Sequence, residues 1–306
     1  MTAMRILVSG AGGLVGKCFT QEALERGHEV VALTRGASGE GRVHWDPMDE
    51  AVDAKALEGF DAVLHLAGEN IASGRWTAER KKLILESRVK GTGLLTRALA
   101  SLKKPPKVFV AASGSNYYAD NRGGPPWDES GEAGSNFLAE VCFHWEAATT
   151  PAHAAGIRVV NARMGAVLST SGGLLTRMLP AVCSGLGGTI GSGRQRLSWI
   201  HEADLAAAYL LAMECETLTG PVNFCAPESV SNRFLTKAVA GALHRPNLLV
   251  MPAAAVRWIY GEMGEALLLA DNAIIPRKLT EAGMKWKFPD LNSALDDLLA
   301  QGCGCR

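Results

Sequence analysis

Three observations predict an α/β fold with a doubly wound parallel sheet and a smaller, mainly helical C-terminal part. Short apolar runs alternate with segments of helical periodicity through the first half of the chain, the pattern of a parallel sheet with helices on both faces. A turn carrying Gly10, Gly13 and Gly16 joins the first apolar run to the first helical segment. Beyond Ser231 the apolar residues recur at helical spacing, in 231–244, 253–270 and 291–299.

Taken in order, Ile6, Leu7 and Val8 form the first strand. Leu14, Val15, Phe19, Ala23 and Leu24 follow at spacings of three and four and make a helix, and 30–33 behind Gly27 is the second strand. Residues 36–41 are a flexible loop, and His44-Trp45-Asp46-Pro47 reads as a turn. Residues 61–66 (D-A-V-L-H-L) are a buried strand ending at Ala67-Gly68. A long helix over 77–102 has Thr77 as its N-cap and Pro105-Pro106 as its stop.

The next strand is 107–112, and the Gly/Pro/Asp-rich stretch 119–134 has the composition of an active-site lid or a crossing loop. A helix over 135–155 and a strand over 157–162 complete the regular alternation. The pattern then loosens into a helix (172–185), a glycine-rich loop (187–193), an extended stretch (198–201), a helix (202–216) and a strand (221–225) able to return to the sheet.

The glycine turn carries the chemistry. A pyrophosphate must approach backbone N–H groups at a helix N-terminus, where unpaired donors and the helix dipole favour an anion. A Cβ at Gly10 or Gly13 would block that approach, and one at Gly16 would hold the helix off the sheet. Strand, glycine turn, helix and strand together make the first half of a Rossmann-like dinucleotide-binding unit. Leu14 and Val15, in the first helical turn, join the three glycines as candidate cofactor contacts. At 306 residues the chain is at the upper limit for one core. Two units are therefore expected, a nucleotide-binding domain from 1–165 and 195–228 and a substrate-binding cap from 166–194 and 229–306.

Lys plus Arg and Asp plus Glu are each 31, so zero formal net charge gives no electrostatic case for a nucleic-acid partner. An unidentified small molecule is the expected partner, to a monomer or homodimer. No apolar run reaches membrane-spanning length and the N-terminus runs straight into a strand, so a cytoplasmic protein without a membrane partner is expected. The seven cysteines are scattered without metal spacing and read as reduced thiols, with Cys303 and Cys305 in a frayed tail. No metal is expected.

Several stretches resemble the epimerase-like YfcH family of atypical extended short-chain dehydrogenase/reductases. They include H-L-A-G-E-N-I-A (65–72), S-R-V-K-G-T (87–92), F-L-A-E-V-C-F-H-W-E (137–146), R-M-G-A-V-L (163–168), S-W-I-H-E-A-D (198–204), G-P-V-N-F-C-A-P (220–227) and P-R-K-L-T-E-A-G (276–283). The G-x-x-G-x-x-G spacing at 10–16 agrees with that group. The resemblance implies an NADP-binding domain and a small C-terminal domain, and no particular reaction.

An NAD-preferring site usually carries a carboxylate near the end of the second strand. Here Thr34 and Arg35 stand there, and a guanidinium suits a 2′-phosphate, so NADP(H) is the expected cofactor. The alternative for Arg35 is an ordinary solvated loop arginine. Ligands bind beyond the carboxyl ends of parallel strands, which brings in His65, Leu66, Ala67, Gly68 and Glu69, with Met164 and Gly165 toward the nicotinamide. His65 could equally be a satisfied histidine at a strand end. Arg88 stands where related enzymes carry an Asn that organises a catalytic Lys, and could bind near the ribose, with Leu83 flanking; its alternative is a surface arginine paired with a residue such as Glu86.

Short-chain reductases move a proton with a Ser or Thr and a Tyr-x-x-x-Lys pair on one helix face. The resemblance places Leu138 and Cys142 at the Tyr and Lys positions, so that pair is missing. Ser113, Ser115, Tyr117 and Tyr118 follow a strand end at the right place and are the candidate catalytic residues. Packing beneath the 119–134 loop is the alternative for the tyrosines. Two functions stay open: an NADP(H)-dependent oxidoreductase or epimerase with unusual proton donors, and a catalytically silent NADPH-binding sensor.

Overall fold

The computed structural model describes residues 2–300. Strand β1 (Arg5–Ser9) has Ile6, Leu7 and Val8 wholly buried. Helix α1 (Leu14–Glu25) packs Phe19 and Ala23 back onto the sheet and ends at Gly27, whose left-handed φ of +81° lets its N–H donate to the Leu24 carbonyl. The chain then enters β2 (Glu29–Thr34), parallel to β1.

The stretch expected to turn at 44–47 instead continues as strand β3 (Arg42–Asp46), parallel to β2. Val43 and Trp45 alternate inward and are buried, and that burial outweighs the polar, proline-flanked composition. Strand β4 (Ala51–Val52) closes this edge antiparallel to β3.

From there the chain crosses to the other side of β1, to β5 (Ala62–His65). Helix α2 (Ala78–Ala100) follows, capped by the Thr77 hydroxyl, which accepts the Arg80 N–H. Strand β6 (Val108–Gly114), helix α3 (Phe137–Ala147) and strand β7 (Arg158–Met164) come next. The predicted 135–155 helix breaks in two: Pro151, which lacks an N–H, sits at the start of a separate short helix, Thr150–Ala154. The strand Gly220–Phe224 returns to pair with β7, as expected for 221–225.

The sheet has eight strands in the order Gly220–Phe224, β7, β6, β5, β1, β2, β3, β4, all parallel except the last pair. Strand order reverses between β1 and β5, and crevices at such switch points are where open α/β sheets bind ligands. One face is covered by α1 and the helix Glu202–Glu214, whose Leu205, Tyr209 and Leu210 meet Phe19. The other is covered by α2, whose Leu95 and Leu99 meet Phe109 and Val159.

A further apolar cluster joins Leu168, Leu175, Trp199, Leu235, Val239 and Leu295, from the later segments. Leu279 and Met284 pack with the sheet, not with that cluster. The expected 253–270 helix is interrupted at Gly261 (φ +60°) into Ala253–Tyr260, Glu262–Gly264 and a π-helical turn, Glu265–Leu269. Within the expected 187–193 loop, Gly188–Ile190 is a strand paired with Leu249–Met251. Among the described residues no helix is long and apolar enough to cross a membrane. Cys18, Cys142, Cys215 and Cys225 are free thiols, whereas Cys183 is disulfide-bonded, which corrects the reading of every cysteine as reduced. Cys303 and Cys305 lie outside the described residues.

Candidate functional site

The turn at the switch point is as tight as glycine allows. Gly10 has φ +72°, and a Cβ on it would lie 3.0 Å from the Ala67 nitrogen and the Leu66 carbonyl carbon, just past the end of β5. One on Gly16 would lie 2.3 Å from the Gly10 carbonyl oxygen, so this residue sets how closely α1 meets the turn. Gly13 caps α1 with no side-chain hydrogen bond, and the first turn of the helix holds no acidic residue. The first-turn N–H groups, those of Leu14 and Val15 among them, thus face the crevice without a protein side-chain acceptor. Leu14 packs beneath the Gly172-Gly173 turn, about where a Cβ on either glycine would lie 3.5–3.6 Å from its Cδ2.

At the end of β2 the Thr34 hydroxyl accepts the Gly36 N–H (3.3 Å). Arg35 beside it is exposed and makes no ion pair among the described residues.

The end of β5 differs from expectation. The His65 ring is wholly buried, edge-on to Trp45 and stacked on Phe109, and its Nδ1 lies 2.7 Å from the Ser9 hydroxyl. Ser9 Oγ accepts the N–H groups of Leu66 (3.1 Å) and Ala67 (3.3 Å), so its own proton goes to His65 Nδ1. The ring therefore belongs to the core, and the Leu66 and Ala67 amides are engaged by Ser9; what these residues offer the crevice is side chain and carbonyl. Glu69 is turned to α2, accepting a hydrogen bond from Arg80 (2.9 Å) while its N–H donates to Ser87 Oγ.

Burial lowers the His65 pKa from 6.5 to about 3. Below pH 6.5 the unfolded chain takes up a proton that the folded chain refuses, so stability falls with pH at up to about 1.4 kcal/mol per unit until the folded value is reached. Denaturant unfolding should show a shallower acid slope for His65→Gln than for the wild type between pH ~6.5 and ~4.5; equal slopes would assign the acid sensitivity elsewhere.

Gly68 and Arg88 do come together: a Cβ on Gly68 would be 3.2 Å from Arg88 Cζ. The guanidinium lies over the Trp145 ring (4.8 Å) and donates to the Ile84 carbonyl (3.1 Å). Burial pulls its pKa down to about 10, opposed by Cys142 and Glu69, so it stays a cation at neutral pH. It makes no ion pair among the described residues, and Glu86 pairs with Lys90. Leu83 is exposed and, five residues from Arg88, is turned about 140° around the helix from it, so it does not join the Arg88 patch. Met164 Sδ accepts the Tyr209 hydroxyl (3.0 Å). Gly165 is buried, where a Cβ would meet the Ser198 carbonyl oxygen at 2.7 Å, so close packing by itself demands glycine there.

The proposed catalytic hydroxyls divide. Ser113 donates to Glu146 Oε1 (2.7 Å). Glu146 is clamped by Arg163 through two parallel bonds, Nε to Oε1 and Nη2 to Oε2, both 2.8 Å. Arg163 Nη1 donates to the Tyr118 hydroxyl (3.0 Å), which in turn donates to Asn223 Oδ1 (2.7 Å). Burial raises the Tyr118 pKa well above the ordinary phenol range despite Arg163. Burial opposes charge on Arg163 too, but the hydrogen bonds and charge of Glu146 outweigh it and hold the guanidinium protonated.

Ser113 and Tyr118 are thus bound into a buried polar chain and are poorly placed to exchange protons with a ligand. Tyr117 is half-buried with the Arg163 guanidinium 3.4 Å from its ring centre, and Ser115 begins the short 3₁₀ turn that holds it. Leu138 and Cys142, which the resemblance puts at the Tyr and Lys positions, are buried, and desolvation pushes the Cys142 thiol up to about 11.

Glu146, Arg163 and Asn223 were not singled out from sequence. The available signal was an arginine continuing an apolar strand, V-V-N-A-R-M, where a charge must find a partner.

The 119–134 stretch is a crossing loop. Trp127 exchanges backbone hydrogen bonds with Ala273 and Ile275 (both 2.9 Å), and buried Glu129 accepts the N–H groups of Asn223 and Lys278. These anchors tie it to two other segments, unlike a free lid.

Comparison with known proteins agrees with this geometry. The model of the NAD dependent epimerase/dehydratase family matches residues 6–225, and that of a domain of unknown function, DUF1731, matches 251–298. The chain is 38% identical over 291 residues to the epimerase family protein Mb2239 of Mycobacterium bovis, covering 95% of this chain and 96% of that one. It is 35% identical over 301 residues to human epimerase family protein SDR39U1, covering 97% and 100%. The crystal structure of human SDR39U1 (isoform 2) with NADPH superposes with a TM-score of 0.89 at 34% identity, over 98% of this chain and 100% of that one. The switch-point glycine turn, the strand order and these similarities lead to one assignment: the chain belongs to the NAD dependent epimerase/dehydratase family.

Proposed function

We propose that this protein binds NADPH at the β1–β5 switch point and passes its hydride to a small molecule held under the C-terminal segments, as an atypical extended short-chain reductase of the YfcH type. The observation that carries this reading is the α1 N-terminus, whose cap Gly13 brings no side-chain hydrogen bond, in the Gly10, Gly13 and Gly16 turn, flanked by two cations, Arg35 and Arg88, with no carboxylate partner among the described residues. The NADPH in the human SDR39U1 structure supports it. Residues 1–165 with 195–228 are the proposed nucleotide domain, and 166–194 with 229–306 the proposed cap. The proposed setting is the cytoplasm. The silent-sensor reading keeps one argument in its favour, that the resemblance puts the buried Leu138 and Cys142 at the Tyr and Lys positions.

The two arginines separate experimentally. Arg35→Ala removes a charge-assisted bond to the 2′-phosphate and should weaken NADPH roughly tenfold or more while leaving NADH nearly unchanged. Arg88→Ala should weaken both cofactors, because the groups it would meet are common to both. Calorimetric titration of both variants with both cofactors tests this. Equal losses for NADPH and NADH in Arg35→Ala would remove the 2′-phosphate assignment, and wild-type affinities in folded Arg88→Ala would take Arg88 out of the site.

A further inference from the structure

If hydride leaves NADPH here, as proposed above, the nature of the acceptor follows from the proton chemistry around it. Reducing an isolated aldehyde or ketone makes an alkoxide, which needs an acid placed at its oxygen. Among the described residues, the walls at the ends of β6 and β7 supply none of the usual kind. Leu138 and Cys142 are buried, and the Cys142 thiol lies against Gly114, with Sγ 3.4 Å from where a Cβ on that glycine would be. Ser113 and Tyr118 are fixed to Glu146, Arg163 and Asn223.

The half-buried Tyr117 makes no side-chain hydrogen bond among the described residues that would form a proton relay. Arg163 covers its ring face, while the guanidinium's Nε and Nη2 are on Glu146 and its Nη1 is on Tyr118. An arginine stays protonated and shuttles nothing.

What the region does offer is aromatic surface. Tyr117 is tied by its carbonyl to the Gly134 N–H (2.7 Å), just before α3. Phe137, the first residue of α3, meets Trp76 edge to face with ring centres 5.1 Å apart. All three residues are half-buried, and cations flank two of the rings, Arg163 over Tyr117 and Lys81 5.0 Å from the centre of Phe137, a setting that suits a flat ligand which takes on negative charge.

We propose that the substrate is a planar, conjugated two-electron acceptor, a quinone or a flavin. With a flavin, the C–H bond at nicotinamide C4 breaks with its electron pair, an N–H bond forms at flavin N5, and water supplies the second hydrogen as a proton. With a quinone, the hydride and one proton from water give the hydroquinone. NADPH becomes NADP⁺ in both. The negative charge left on either reduced product is spread over the conjugated rings, so protonation by solvent suffices and no enzymic acid is needed.

The test is NADPH oxidation, followed at the nicotinamide absorbance, by the purified full chain with four probes: FMN, menadione, 4-nitrobenzaldehyde and cyclohexanone. NADPH binding is measured separately by calorimetry. The expected result is turnover of FMN or menadione at least tenfold above the protein-free rate, none of either carbonyl, and loss of all turnover in Gly13→Val. Which of FMN and menadione reacts assigns the acceptor as flavin or quinone. Turnover of either carbonyl at a comparable rate would overturn the proposal by revealing an acid at the site. NADPH binding without oxidation by any probe would overturn it in favour of a sensor, and failure to bind NADPH at all would overturn the cofactor reading beneath it.

Discussion

Glu146→Ala should lower the unfolding free energy by about 3–5 kcal/mol, seen as a large drop in the denaturant midpoint. The side chains of Arg163 and Glu146 are only 4% and 12% exposed and share two 2.8 Å bonds. Removing the carboxylate leaves a buried guanidinium facing only the Tyr118 hydroxyl and two tyrosine rings, and it strands the Ser113 hydroxyl. The large cost is that of an uncompensated charge, not the net worth of the pair. The double variant Glu146→Leu/Arg163→Met should therefore recover most of the loss. A double variant no more stable than Glu146→Ala would show that the pair is intrinsically stabilising, and a single variant within ~1 kcal/mol of wild type would mean that water reaches Arg163.

Gly13→Val should reduce NADPH affinity roughly a hundredfold or more, about 2.8 kcal/mol, in a protein that stays folded. Gly13 has an ordinary φ of −76° and caps α1 from an exposed position, and an added Cβ would meet the Gly10 carbonyl oxygen at 3.3 Å. The backbone can accept that with a small shift. The branched side chain, however, stands where an anion would approach the first-turn N–H groups. Gly16→Val is the contrasting case, because its Cβ would lie 2.3 Å from the same oxygen and the turn itself must move; it should lower both affinity and thermal stability. Wild-type NADPH affinity in folded Gly13→Val would place the pyrophosphate elsewhere.

Most of the sheet and the glycine turn were legible from the chain because their signals are local. A period of two or 3.6 residues, a glycine every third position and a threonine N-cap are all set by backbone geometry within a few residues, and the structure has β1, α1, β2, β5, α2 and β6 where those signals put them. The misread stretch at 44–47 shows the limit: β3 is a strand because β2 lies beside it, and that neighbour is not written in its own residues.

The site follows the same division. Gly10, Gly13 and Gly16 could be named from spacing because one turn contains all three. Glu146 and Arg163 sit on α3 and β7, and Ser113 and Asn223 on two further strands. They meet only because β6, β7 and Gly220–Phe224 are adjacent in the sheet and α3 packs on them.

Tyr117 and Tyr118 make the point within two residues. Both are phenols at the same strand end, yet one is buried on Asn223 and the other half-buried beneath Arg163. The amino-acid sequence by itself determined the nucleotide-binding half of the fold and the turn that would hold a pyrophosphate. Only the tertiary structure decided which hydroxyls and charges are tied up in the core, because a side chain's partners are set by strand order and helix packing across long sequence separations, which no local pattern records.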